Sequence, residues 1–282
     1  EIFDLGLDIF ENVVVESVVY NVQKMKITSQ NEVVVKIQRN RKRPFEELEF
    51  NYYVNLKSYA GPDYTFNINI SDIYSPIIDK MRINSLKLSD ICYCTVGINT
   101  GYIKDELTSI KKEDNRYHRM LNGKDISRYG IQWPEVYIMY DVDFVKSKGK
   151  KGRALPPEYI FKNDKILVQR TRRGMKRKLV CYLDKEGHYN LNRLSNIVLT
   201  NENFSLENLY PILNSKLLDF YFNIYFNEYE VKPLHLGRLP IPKTLKNDNS
   251  FVAISASITN QYKNFNLAIS NFHDFSKSSF NL

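Results

Sequence analysis

The chain has 282 residues, 43% apolar and 26% charged, with a formal net charge of +8. That composition excludes a disordered chain and leaves material for one large domain or two ordinary ones. No apolar run approaches the roughly 20 residues that span a bilayer and no leader pattern opens the chain, so a soluble, cytoplasmic protein with no membrane partner is expected.

Residues 1–85 read as a smaller N-terminal unit of β or α/β character, and the start at Glu1 suggests a piece of a longer protein. NVVVESVVYNVQK and NEVVVKIQRN are rich in β-branched residues and TFNINI alternates strictly, so all three are expected as strands. Arg39, Arg41, Lys42 and Arg43 before Pro44 read as a solvated turn. IYSPIIDKMR reads as a short helix capped by Ser75, with Pro76 at its first position. Residues 86–245 form the second expected unit. LSDICYCTV, VYIMYD, KILVQR, KLVCYLD and SNIVLT are short strands separated by turns, giving a mainly β domain with packed helices in an overall α+β fold. ENLYPILNSKLLDFYFNIYF carries a helical apolar stripe at Leu206, Leu209, Leu213, Leu217, Phe220 and Ile224. VKPLHLGRLPIP is expected to be extended, because Pro240 and Pro242 bar a helix. Residues 246–282 read as a terminal helical segment.

The charge is concentrated. Between 146 and 178 stand Lys146, Lys148, Lys150, Lys151, Arg153, Lys162, Lys165, Arg170, Arg172, Arg173, Lys176, Arg177 and Lys178 against only Glu158 and Asp164. That local excess is larger than the whole chain's +8, so the remainder is net negative. One basic segment on an otherwise acidic chain is the footprint expected for a polyanion. The strand ending at Arg170 and the strand beginning at Leu179 would make a basic hairpin, and a projecting two-stranded ribbon fits a DNA major groove.

Catalytic patterns are sparse. Gly97-x-x-x-Gly101 lacks the Gly-Lys-Ser/Thr of a P-loop and the third glycine of a dinucleotide fingerprint. It reads as a backbone corner, with Asn99 and Thr100 available at the surface. No GxSxG elbow, HExxH pair or Asn-Pro-Pro-Tyr base-flipping loop occurs. Pro62-Asp63 and Glu230-Val231-Lys232 are the two halves of a PD…ExK pattern, which keeps a Mg²⁺-dependent endonuclease as an alternative. Cys92, Cys94 and Cys181 are an odd number, as in a reducing compartment. Cys92 and Cys94 share a strand face, but no second pair stands at zinc spacing, so they read as buried thiols.

In order, LSDICYCTVGINTGYI, HRMLNGKDISRYGI, ILVQRTRRG, GHYNLNRLSNIVLT, LYPILNSKLLDFYF and LGRLPIP resemble the C-terminal specificity domain of TaqI-like N6-adenine DNA methyltransferases. This domain type also occurs in type II (IIG-like) restriction-modification enzymes and phage-defence relatives. The matching positions are Gly97, Thr100 and Gly101 of a Gly-x-x-Thr-Gly corner; Gly123, Lys124, Asp125 and Ile126; Leu213, Asn214, Ser215 and Lys216; and the Leu-Pro-Ile-Pro exit at 239–242. The resemblance implies a target recognition domain that grips double-stranded DNA opposite a methyltransferase domain of the same parent chain. S-adenosylmethionine, and Mg²⁺ if the parent cleaves, would belong to that parent; no cofactor, metal ligand or catalytic residue is assigned within this chain. On that reading Lys124, Lys146, Lys148, Lys150, Lys151, Lys176, Arg177 and Lys178 are phosphate candidates. Gln169, Asn190 and Asn192 suit adenine, and Arg170, Arg172 or Arg173 suit guanine, with Asn99 and Thr100 as further contacts. A specificity subunit that docks onto separate methylase chains is the remaining alternative.

Overall fold

The computed structural model describes residues 1–262 and 264–265, apart from 8, 14, 27, 29–30, 41–43, 45, 57–65, 69–72, 173–174 and 227–229. The backbone divides into two compact units, Glu1–Ile83 and Asn84–Leu282. Both strands and helices are well represented, as an α+β fold requires. Among the described residues no helix is long and apolar enough to cross a membrane.

In the first unit, β1 (Ile2–Gly6), β2 (Ser17–Tyr20), β3 (Glu32–Ile37) and β4 (Phe50–Asn55) form one sheet in the order β2-β1-β3-β4, with β1 and β3 parallel. Its core is Val35, Ile37 and Val54. Arg39 ion-pairs with Asp4 and so does not join a free basic turn; Arg41, Lys42 and Arg43 lie outside the described residues. Residues 66–68 of the expected TFNINI strand are not in a strand, and its other residues are not described. Helix α1 (Ser75–Arg82) forms with Pro76 in its first turn, but Ser75 is its first residue rather than its cap. The Ser75 hydroxyl donates to Asp79 at 3.2 Å.

The second unit begins with β5 (Ser85–Lys87), β6 (Cys92–Val96), α2 (Lys104–Leu107), β7 (Thr108–Ser109), β8 (Tyr117–Leu121), β9 (Ile126–Ser127), β10 (Gly130–Ile131) and β11 (Tyr137–Met139). It continues with α3 (Val142–Ser147), α4 (Tyr159–Lys162), β12 (Lys165–Gln169), β13 (Cys181–Asp184), β14 (Tyr189–Asn190) and β15 (Leu194–Leu199). It ends with α5 (Leu206–Leu213), α6 (Lys216–Tyr225), α7 (Pro233–Gly237), β16 (Pro240–Pro242) and a helical stretch at 252–262. The central sheet runs β13-β12-β15-β6 and a second runs β14-β8-β11-β7. They meet where Ile98 bridges Leu191.

Helix α5 packs on β12 and β13. Ile166, Leu167 and Val168 of β12 are fully buried, which is why this strand reads as a continuous apolar run rather than an alternating one. Where β12 begins and β13 ends, Lys165 and Asp184 form a wholly buried ion pair at 2.6 Å. Asp184 also meets His188 Nδ1 at 2.8 Å, and the Lys165 ammonium donates to the Phe161 carbonyl at 2.7 Å. Burial alone would raise the Asp184 pKa, but the His188 hydrogen bond and the Lys165 charge hold it below the usual carboxylate value.

Two expectations for the C-terminal part of this unit are corrected. The single stripe at 206–224 is two helices, because Asn214 and Ser215 interrupt it and the Ser215 hydroxyl caps α6 by accepting from Leu218 N at 3.0 Å. Asn214 turns its buried amide to the Cys181 backbone, accepting from N at 3.1 Å and donating to O at 3.0 Å. In VKPLHLGRLPIP, Pro233 starts α7, and Pro240–Pro242 forms the strand, paired with β5.

Candidate nucleic-acid interface

One end of the central sheet is where β6 and β12 stop and β13 and β15 start, since Val96 faces Ser195 and Val168 faces both Ser195 and Cys181. The chain leaves this end through three segments, at 97–103, 170–180 and 190–193. They contain most of the residues that the sequence singles out.

The glycine corner is a packed turn. A Cβ on Gly97 would collide with the backbone and amide of Asn190, and Gly101 has φ +56° with the Lys151 carbonyl against it. Gly97 N donates to Leu194 O at 3.1 Å and Ile98 N to Asn190 O at 2.8 Å, while Asn192 N donates back to Ile98 O at 2.9 Å. Asn99 Oδ1 accepts from Gly101 N at 3.1 Å, which closes the turn and leaves Asn99 exposed at its crest. Thr100 is half-buried, and its carbonyl accepts from Ile103 N.

Helix α3 and the turn after it deliver the first group of cations. Asp141 caps α3 by accepting from Phe144 N at 2.8 Å and pairs with Arg116 at 2.8 Å, so its carboxylate is committed. Tyr102 N donates to Lys151 O at 2.9 Å, which locks the turn to the glycine corner. Lys146, Lys150, Lys151 and Arg153 are exposed and form no ion pair among the described residues. Lys148 differs. It pairs with Glu106 and lies 4.6 Å from the centre of the Phe144 ring.

The connection from β12 to β13 behaves in the opposite way, and the expectation of a free, projecting ribbon is corrected. Gln169 donates to the Gly123 and Ile126 carbonyls, both at 2.6 Å, and accepts from Arg172 at 2.6 Å. Arg170 donates to Asn192 O at 2.6 Å and pairs with Glu230 at 3.1 Å. Arg172 Nε donates to Arg177 O at 3.0 Å, and the Lys178 ammonium to Arg172 O at 3.2 Å. Arg177 donates to Leu179 O at 3.1 Å and to the carbonyls of Asn214 and Ser215, where α5 ends. Asp219 accepts from Lys178 N at 2.8 Å and Leu179 N at 2.7 Å. Burial lowers the pKa of both Arg172 and Arg177 below the ordinary arginine value, with Asp219 opposing the shift. Their guanidinium groups serve backbone carbonyls, as a chain closing onto a helix C-terminus demands.

The site residues therefore divide. Asn99, Lys124, Lys146, Lys150, Lys151 and Lys176 are exposed, and Thr100 and Asn192 are half-buried. Gln169, Arg170, Arg172, Arg177 and Lys178 are tied inward, and Asn190 is fully buried with its amide near Leu191 O and Leu194 O. Arg173 lies outside the described residues. Lys124 follows Gly123, which packs against Arg193. Arg193, in turn, donates to Thr171 at 3.3 Å. Sequence reasoning left out exposed Arg193 and Tyr102, although both flank residues it selected. For the nuclease alternative, Glu230 is engaged by Arg170 and Asp63 is not described. Burial pushes the Cys94 and Cys181 thiols up to about 12, so both are held as protonated, packed side chains.

No curated protein matches the chain. A solved structure titled as the structural basis of complex assembly and conformational transition of a type I restriction-modification system aligns with 12% identity and a TM-score of 0.41. That alignment covers 69% of this chain, which spans 42% of the length of the other. The family model described as the TaqI-like C-terminal specificity domain matches residues 118–241, from β8 to β16. Residues 118–241 are thus similar to a TaqI-like C-terminal specificity domain.

Proposed function

We infer that the second unit binds double-stranded DNA and recognises a target sequence within a restriction-modification system. The observation that carries this reading is the convergence of three segments at one sheet end, where Asn99 and Arg193 are exposed, exposed Lys151 is bonded through its carbonyl to Tyr102, and exposed Lys124 follows Gly123, which packs against Arg193. The specificity-domain match supports it independently. Ammonium and guanidinium groups at that end would neutralise phosphates and release counterions, which supplies affinity and register. Discrimination would fall to side-chain amides at Asn99 and Asn192, which can pair with the N6/N7 edge of adenine in the major groove. The finer reading is a type II, IIG-like system whose parent chain also carries an N6-adenine methyltransferase domain, where S-adenosylmethionine would bind.

Selection of binders from a random-sequence duplex pool tests the recognition role. Enrichment of one short motif, with affinity falling linearly on a log-log salt plot, is the expected outcome. Retention of no motif, or of single strands in preference to duplex, would refute it. For the finer reading, the parent protein should transfer a labelled methyl group to adenine N6 within the selected motif. Transfer to cytosine, or a methylase that copurifies as a separate polypeptide, would point to another class of system.

A further inference from the structure

Resting on the DNA-binding reading, we propose that Tyr102 is a wedge that stacks against a base at an opened step of the bound duplex. Single exposed apolar residues are ordinary on protein surfaces. Tyr102 is distinguished by its setting. At 86% exposure it is the most exposed large hydrophobic side chain among the described residues. Its ring has no hydrogen-bonding or aromatic partner among them. The backbone beneath is fixed, because Ile98 and Ile103 are buried at 0% and 1% exposure on either side and Tyr102 N is bonded to Lys151 O at 2.9 Å. The cations of Lys150, Lys151 and Arg153 belong to the turn that this bond secures, so phosphate contacts would bring the ring up to the duplex.

An exposed aromatic ring on an anchored backbone, beside exposed cations, has the chemistry needed for base stacking. In a duplex, stacking requires a partly unstacked step, and minor-groove binders create one by inserting such side chains. A wedge should favour DNA whose local unstacking cost has already been removed.

The test measures binding of the whole chain to two mixed-sequence 30-bp duplexes, one intact and one with a single central mismatch. The wild-type chain should prefer the mismatched duplex. Tyr102→Ala should bind it about tenfold more weakly and lose the preference, with an unchanged salt slope. Tyr102→Phe should retain both properties, since the ring and not the hydroxyl stacks. Wild-type binding that Tyr102→Ala leaves unaltered, or a wild-type chain indifferent to the mismatch, would overturn the wedge while leaving DNA binding intact. If the wild-type chain binds neither duplex, the DNA-binding reading falls and the wedge with it.

Discussion

The turn at 146–153 and the connection at 170–180 are the two most basic stretches of the second unit, yet their cations do different work. In the connection, guanidinium groups are consumed by carbonyls: Arg177 reaches the end of α5, Arg172 reaches Gln169 and Arg177, and Arg170 reaches Asn192 and Glu230. In the turn, Lys150, Lys151 and Arg153 stay in water while the backbone does the anchoring through Lys151 O. Local charge density is therefore a poor guide to function. What decides is whether protein acceptors lie within reach of the side chain.

Four perturbations would sharpen that contrast. The largest effect is expected at the opposite end of β12 and β13, where Asp184→Asn leaves the buried Lys165 ammonium without its counter-charge. A loss of about 3–5 kcal/mol in urea unfolding is predicted. The same pair sets a pH signature. Because the folded Asp184 pKa lies below its unfolded value, its stabilisation is complete above about pH 4 and is lost as the pH falls through the folded value. The acid sensitivity of the wild-type chain in that window should be diminished in Asp184→Asn.

Next, Arg177→Ala removes the donor of three backbone carbonyls and should cost about 1–3 kcal/mol in the same assay. If the stability were unchanged and only DNA binding suffered, the inward assignment of this arginine would be wrong. Gly101→Ala forces a side chain into a left-handed backbone position against the Lys151 carbonyl, for a loss of about 1–2 kcal/mol. The smallest stability effect, within about 0.5 kcal/mol, is expected for Lys150→Ala/Lys151→Ala/Arg153→Ala, since these exposed side chains form no ion pair among the described residues.

The sheet was legible because its central strands are apolar on both faces, so KILVQR and SNIVLT stand out without any alternation. The break between α5 and α6 was hidden. Leu213 and Leu217 continue the helical stripe across it, and the reason for the break is that Asn214 pairs with Cys181, 33 residues earlier in the chain. The inward fate of Arg177 was hidden for the same reason, since the carbonyls of Asn214 and Ser215 are not local in sequence. Most of the residues that carry the family resemblance are structural. Gly97 and Gly101 admit close backbone approach, Asn122 and Asp125 cap each other's turn, and Asn214 and Ser215 seat the helices on the sheet. The exposed side chains lie within or beside these positions. The motifs thus identify the scaffold readily and the contact surface only by adjacency.

The most direct measurement of the central claim is the salt dependence of duplex binding by the Lys150→Ala/Lys151→Ala/Arg153→Ala chain beside the wild type. If these cations meet phosphates, the log-log slope should fall by about 0.9 per lost contact while the urea midpoint stays put. An identical slope and affinity in the two proteins would contradict the account.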